Sequence, residues 1–121
     1  MFGNRSISVM AYNLETLLAE KFETVISRGI TNSRMRDFYD IYILTNTKDY
    51  NINIFKEALK NTARKRKTER QMDDFVNIIE RIAFDKDMIT LWQRYQKKYG
   101  YASDIEWDKI IAALKRLTVH I

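Results

Sequence analysis

The chain has 121 residues, 45% of them hydrophobic, with seven Tyr, six Phe and two Trp, which is enough for one domain with a real core. It has no cysteine and one histidine, His120 near its end, which excludes a disulfide framework and a thiolate metal site and argues against a zinc enzyme or a His-dependent hydrolase. The net charge of +5 points to an anionic partner, and no apolar run approaches the roughly 18 residues a membrane span requires.

Met1 to Tyr12 lacks the features of a signal peptide, so a cytoplasmic protein with no membrane partner is expected. With no proline and only three glycines the chain reads as mainly α, a bundle of about six helices. The exception is its start. Ser6-Ile-Ser-Val-Met-Ala-Tyr12 alternates polar and apolar residues and predicts a short strand. One strand cannot satisfy its own ladder hydrogen bonds. Residues 1–12 are therefore expected to be a terminal strand or connector left over from a sheet elsewhere, and residues 13–121 a helical domain. Asn13 predicts the cap of the first helix, and Gly29 its end just after Arg28. Thr31 or Ser33 predicts the cap of a second, over 34–45, followed by a polar loop over 46–51.

Ile54, Phe55, Ala58, Leu59 and Ala63 recur at helical spacing and predict a third helix that runs into a basic block. Met72, Phe75, Val76, Ile79 and Ile82 predict one continuous helix over about 69–83. Asp85 or Asp87 caps the next, with Met88, Leu91, Trp92 and Tyr95 inward and Gly100 at its end. Ser103 and Glu106 form a capping box ahead of Trp107, Ile110, Ile111 and Leu114. The aromatics of the second helix, Phe38, Tyr39 and Tyr42, fall at core spacing, although rings of this kind can also stack on a base.

Three sets of charges could carry chemistry. The apolar stripe of the first helix is Leu14, Leu17, Leu18, Phe22, Val25 and Ile26, and Lys21 falls within it, with Arg28 two turns on. An inward lysine is costly unless it is paired, binds an anion, or snorkels at the margin. On the second helix Asp37 and Asp40 stand three residues apart on neighbouring parts of one surface. They could bind a divalent cation, position a phosphate-contacting cation, or make plain ion pairs, Arg36–Asp40 among them. Between Lys60 and Arg70, six cations face one anion. Arg64, Lys65, Arg66 and Lys67 form its centre, either a nucleic-acid contact or a solvated helix end. No Gly-rich phosphate loop, Ser/His/Asp set or metal-ligand cluster occurs, so no metal site is expected in this chain.

Tyr12-Asn-Leu-Glu15, Ala19-Glu20-Lys21-Phe22, Ser27-Arg28-Gly29 and Arg36-Asp37-Phe38-Tyr39-Asp40-Ile41-Tyr42 together resemble the signature of the AbiEii/AbiGii toxin family, over about Val9 to Leu44. These are nucleotidyltransferase-like proteins of phage abortive infection and type IV toxin–antitoxin systems. The resemblance implies a polymerase-β-like catalytic fold, a nucleoside triphosphate with Mg2+ as cofactors, nucleotide transfer to RNA (tRNA among the targets), and a cognate antitoxin as partner. It maps the family's lysine to Lys21 and its late aspartate to Asp37 or Asp40 as catalytic residues; beside them, Arg28 and Arg36 are the candidate phosphate-binding residues.

The family's first two motifs, a Gly-Ser or Gly-Gly-Thr loop and an Asp-x-Asp pair on a strand, have no counterpart here, since Asp85-Lys-Asp87 opens a helix. The resemblance thus implies a C-terminal part whose partner is a missing N-terminal catalytic half, inactive by itself, with self-association as another outcome of an unpartnered strand. Two other readings stay open: a non-catalytic nucleic-acid-binding module, carried by the basic block, and an antitoxin-docking domain, carried by the lone strand.

Overall fold

In a computed structural model, the backbone is described for residues 2–119 and the side chains for residues 14–119. His120 lies outside these residues. Among the described residues seven helices follow one another: α1 (Phe2–Arg28), α2 (Met35–Thr47), α3 (Ile52–Arg66), α4 (Glu69–Asp73), α5 (Phe75–Phe84), α6 (Lys86–Lys98) and α7 (Trp107–Thr118). Single 3-10 turns, Gly29–Thr31 and Gly100–Ala102, precede the approaches to α2 and α7. The mainly α expectation holds.

The expected N-terminal strand does not form. Ser6 to Tyr12 is helical backbone, α1 begins at Phe2, and Asn13 lies within the helix instead of capping it. The described residues offer no neighbouring strand, and a helix satisfies its own backbone groups without one. The helix over 69–83 is broken instead of continuous. Asp74 takes φ −96° and ψ 20°, its N–H turns back to the Arg70 and Gln71 carbonyls, and the chain restarts as α5.

Two expected caps also differ. Neither Thr31 nor Ser33 caps α2; the Asn32 side chain accepts the Arg34 N–H at 3.0 Å, an Asx turn that aims the chain into the helix. Ser103 bonds the Gly100 carbonyl at 2.7 Å, so no capping box forms before α7. Asp85 does cap α6, accepting the Met88 N–H at 2.9 Å, and Asn51 caps α3 by accepting the Asn53 and Ile54 N–H groups.

α1 packs between α2 and α3, while α7 packs on α2 and α5, and α6 on α5 and α2. Leu18, Ala19, Phe22, Val25 and Ile26 of α1 are fully buried. Each large side chain among them contributes roughly 1.5–3 kcal/mol of burial. Phe22 meets Phe55 of α3 edge-on at 5.9 Å, and Phe38 of α2 meets Trp107 of α7 at 5.4 Å. Both indoles are satisfied: Trp92 donates to the Ile105 carbonyl at 2.8 Å and Trp107 to the Ala83 carbonyl at 3.2 Å. Phe38, Trp92 and Trp107 are therefore core residues, as their spacing predicts, whereas Tyr39, Tyr42 and Tyr95 are only partly covered. No helix of the described residues is long and apolar enough to cross a membrane.

Gly29 sets the angle between α1 and α2. It ends α1 in the left-handed region, at φ +53°, where side-chained residues are strained. A Cβ there would meet only Ile78 Cγ2, at 3.8 Å, so space is not the constraint. Gly29→Ala is expected to lower unfolding free energy by about 1 kcal/mol through backbone strain alone, with an unchanged urea m-value.

Candidate functional site

The geometry of α1 and α2 brings Lys21, Asp37 and Asp40 together. Four residues before Lys21, Leu17 is 42% exposed, so this edge of the stripe is the margin of the core and not its centre. The Lys21 stem lies along that margin, and its Nζ reaches Asp40 Oδ2 at 2.9 Å and Asp37 Oδ1 at 3.4 Å. Asp37 is the buried partner, with its side chain 5% exposed; Asp40 stays one-quarter open to solvent. The other Asp37 oxygen faces Arg34 Nε at 3.6 Å, and Arg36 Nε approaches Asp40 Oδ2 at 3.8 Å. Three cations thus face two carboxylates, and the two arginines extend into solvent.

Arg34 is the member that sequence reasoning missed. Its signal was present, because it stands three residues ahead of Asp37, a spacing that puts both on one helix face. Arg28 is exposed at the end of α1 and joins no ion pair among the described residues; its carbonyl accepts the Thr31 hydroxyl at 2.6 Å. The structure therefore does not bring Arg28 to the Lys21 cluster. Seven residues of helix separate them by about 10 Å.

The basic block lies on the other side of α1. Lys21 and Glu23 are about 200° apart around the helix, and while Lys21 faces α2, buried Glu23 faces α3, where it pairs with Arg66. Arg66 also reaches the Thr24 hydroxyl at 3.3 Å. Lys67 closes α3 in the left-handed conformation, φ 58°, and the Thr68 N–H returns to the Ala63 carbonyl. Arg64, Lys65 and Arg66 occupy the last turn of α3, where cations favourably oppose the negative end of the helix dipole. Arg64 also lines a cavity of about 430 Å³ floored by Phe22, Leu59 and Phe75. Arg66 is committed to Glu23; Arg64, Lys65 and Lys67 are exposed.

Asp37 and Asp40 do not fit a Mg2+ ion. Their oxygens already face Lys21, Arg34 and Arg36, and no group of three His, Cys, Asp or Glu that could hold a metal occurs among the described residues. Mg2+ needs near-octahedral oxygen donors. A cluster in which cations outnumber carboxylates suits an anion such as a phosphate instead.

Beside this cluster, Tyr39 of α2 packs on Tyr95 of α6 and on Tyr101. The Tyr95 and Tyr101 hydroxyls bond at 2.8 Å. Burial and that bond hold the Tyr95 phenol well above its ordinary value of 10.0; Asp40 adds to the shift and Arg36 opposes it.

The family model described as "Nucleotidyl transferase AbiEii toxin, Type IV TA system" matches residues 2–113. The chain belongs to that family of nucleotidyltransferase-like toxins, and membership implies an antitoxin partner. The match extends far beyond Leu44, so α3 to α6 and most of α7 belong to it along with the Lys21 and Asp37 segments. No curated protein and no solved structure matches the chain.

The Tyr95 shift has a pH consequence whose sign is set by which state loses its proton first. The unfolded phenol ionises near 10 and the folded one only above that, so stability is full below pH 10 and falls as pH rises beyond it. Thermal melts across alkaline pH are expected to show this decline, flattened in Tyr95→Phe.

Proposed function

We propose that this helical domain supplies the phosphate-directed and RNA-engaging part of a nucleotidyltransferase toxin that acts in phage defence or growth arrest, with RNA such as tRNA as the acceptor. The observation that carries this reading is the Lys21 ammonium, 19% exposed and held between Asp37 and Asp40 in a net cationic cluster. A compact, oriented ammonium at the margin of a core is suited to a triphosphate oxygen. Asp37 orients it from the buried side and Asp40 supports it from the solvent side. Arg34 and Arg36 add positive potential at the rim, which draws a polyanion toward Lys21.

The substrate in this reading is a nucleoside triphosphate. A Mg2+ ion accompanying such a substrate would supply charge neutralisation, and Asp37 and Asp40, already paired with cations, would not be the residues that hold it. Lys21, Asp37 and Asp40 contribute positioning and charge, which their pairing makes rigid. In the transfer an RNA hydroxyl oxygen would bond to the α-phosphorus as its bond to the β-phosphate breaks and pyrophosphate leaves, and the extended RNA would no longer support translation. Arg64, Lys65 and Lys67, exposed at the end of α3, hold the RNA backbone electrostatically.

The test of the Lys21 assignment is growth of cells that express a toxin carrying the catalytic motifs together with this domain, with Lys21→Met in place, alongside transfer of labelled nucleotide to RNA. The variant is expected to lose both activities while folded protein accumulates. A folded Lys21→Met protein that still arrests growth would overturn the assignment.

The basic block has its own test. Changing Arg64, Lys65 and Lys67 to Gln, and sparing Arg66 because it holds Glu23, should flatten the plot of log affinity against log salt by about 2 for single-stranded RNA. An unchanged slope would remove the backbone contact from the reading. If the slope falls but Lys21→Met is without effect, a non-catalytic nucleic-acid-binding module is the better description.

A further inference from the structure

The strongest feature that the reading above does not use is a cluster of tyrosines beside Asp40. Tyr39, Tyr95, Tyr99 and Tyr101 come from α2, α6 and the turn that follows it. Their ring centroids lie 4.7 Å apart for Tyr39–Tyr101 and Tyr95–Tyr99, and 5.4 Å for Tyr99–Tyr101. Trp92, fully buried, stacks behind Tyr95 at 5.3 Å and 17°. The cluster is thus anchored to the core on one side. On the other side it is open: Tyr101 is 54% exposed, the other three are partly covered, and each is large enough to have been buried whole.

Charge around the rings decides what such a surface receives. From Met88 to Ser103 there is no acidic residue, while Arg94, Lys97 and Lys98 interleave with the tyrosines. Lys98 Nζ lies 5.5 Å from the Tyr99 centroid. Arg36, 80% exposed, borders the same face from α2 and approaches Asp40, the acidic neighbour of Tyr95. A Pro-rich peptide would need aromatic grooves but no such cations. A single-stranded nucleic acid needs both, rings for its bases and cations for its phosphates.

We propose that Tyr39, Tyr95, Tyr99 and Tyr101 form a stacking platform for one or two unpaired bases of single-stranded RNA, placed so that the adjoining phosphates reach Arg36 and Lys98. The platform adjoins the Lys21–Asp40 pair, so it would seat an unpaired RNA end next to the phosphate-directed lysine. Duplex RNA, whose bases are already stacked, has no face to offer it. This inference rests on the RNA-directed reading for the identity of the polymer, and it adds the requirement for unpaired bases.

The experiment is fluorescence anisotropy with the full chain and a labelled RNA of about ten nucleotides, presented single-stranded and as a duplex. Single-stranded RNA is expected to bind more tightly. Tyr101→Ala should weaken that binding roughly 5- to 100-fold, with little change for the duplex, whereas Tyr101→Phe keeps the ring and should bind within about twofold of the parent. Melting curves establish that each variant is folded, as expected for a half-exposed residue. Equal binding of single strand and duplex, an Ala variant that binds as the parent does, or displacement of the RNA by a Pro-rich peptide would each overturn the proposal. Neutralising Arg64, Lys65 and Lys67 separates the two readings. If it lowers the salt slope while Tyr101→Ala does nothing, stacking fails and the backbone contact stands; the reverse pattern retains stacking alone.

Discussion

The structure depends on α1 carrying opposite charges on opposite sides. Lys21 points to α2 and is held there by Asp37 and Asp40; Glu23 points to α3 and is held by Arg66. Between them Phe22, Val25 and Ile26 are buried. Apolar burial supplies the driving force, but it is non-directional and would tolerate rotation of α1 between its neighbours. Two ionic contacts to two different helices fix that rotation, because turning α1 would strand buried Glu23 without its Arg66 partner, a loss of several kcal/mol, and leave buried Asp37 with Arg34 alone. The Lys21–Asp37–Asp40 cluster and the α1–α3 contact are therefore set by one helix orientation.

This arrangement assigns different work to charges that look alike in the sequence. Arg66 belongs to a run of four cations, yet it is the one committed to a buried carboxylate, and its neighbours are free of that duty. Lys21 and Arg28 share a helix face on paper, but only Lys21 meets α2. Asp37 and Asp40 could have been a cation site, and the geometry instead surrounds them with three cations. In each case the deciding quantity is which opposite charge the neighbouring helix supplies.

Much of the fold was legible in the chain. The absence of proline, the helical spacing of the apolar residues, Gly29 and the Asp85 cap led to nearly correct ends for α2, α3, α6 and α7 and to the end of α1. Errors cluster where local signals are ambiguous. Ser6 to Tyr12 alternates as a strand does, but alternation cannot say whether a partner strand exists. Ser103 and Glu106 carry capping-box spacing, but the turn at Gly100–Ala102 takes the serine hydroxyl first. The break at Asp74 leaves no trace in the hydrophobic pattern, which runs unbroken from Met72 to Ile82.

The sequence by itself determined the helical class, most of the core faces (Leu17 and Val76 are exposed) and the family, and it singled out Lys21, Asp37 and Asp40, because periodicity and motif are local properties of the chain. Only the tertiary structure decided their relations. The packing of α1 between two helices paired Lys21 with both aspartates, added Arg34, left Arg28 apart and put the basic block across the helix. Residues from α2, α6 and the turn at Gly100 met in one tyrosine face beside Asp40. Contacts between segments 16 to 62 positions apart follow from helix packing angles, and no local pattern encodes those.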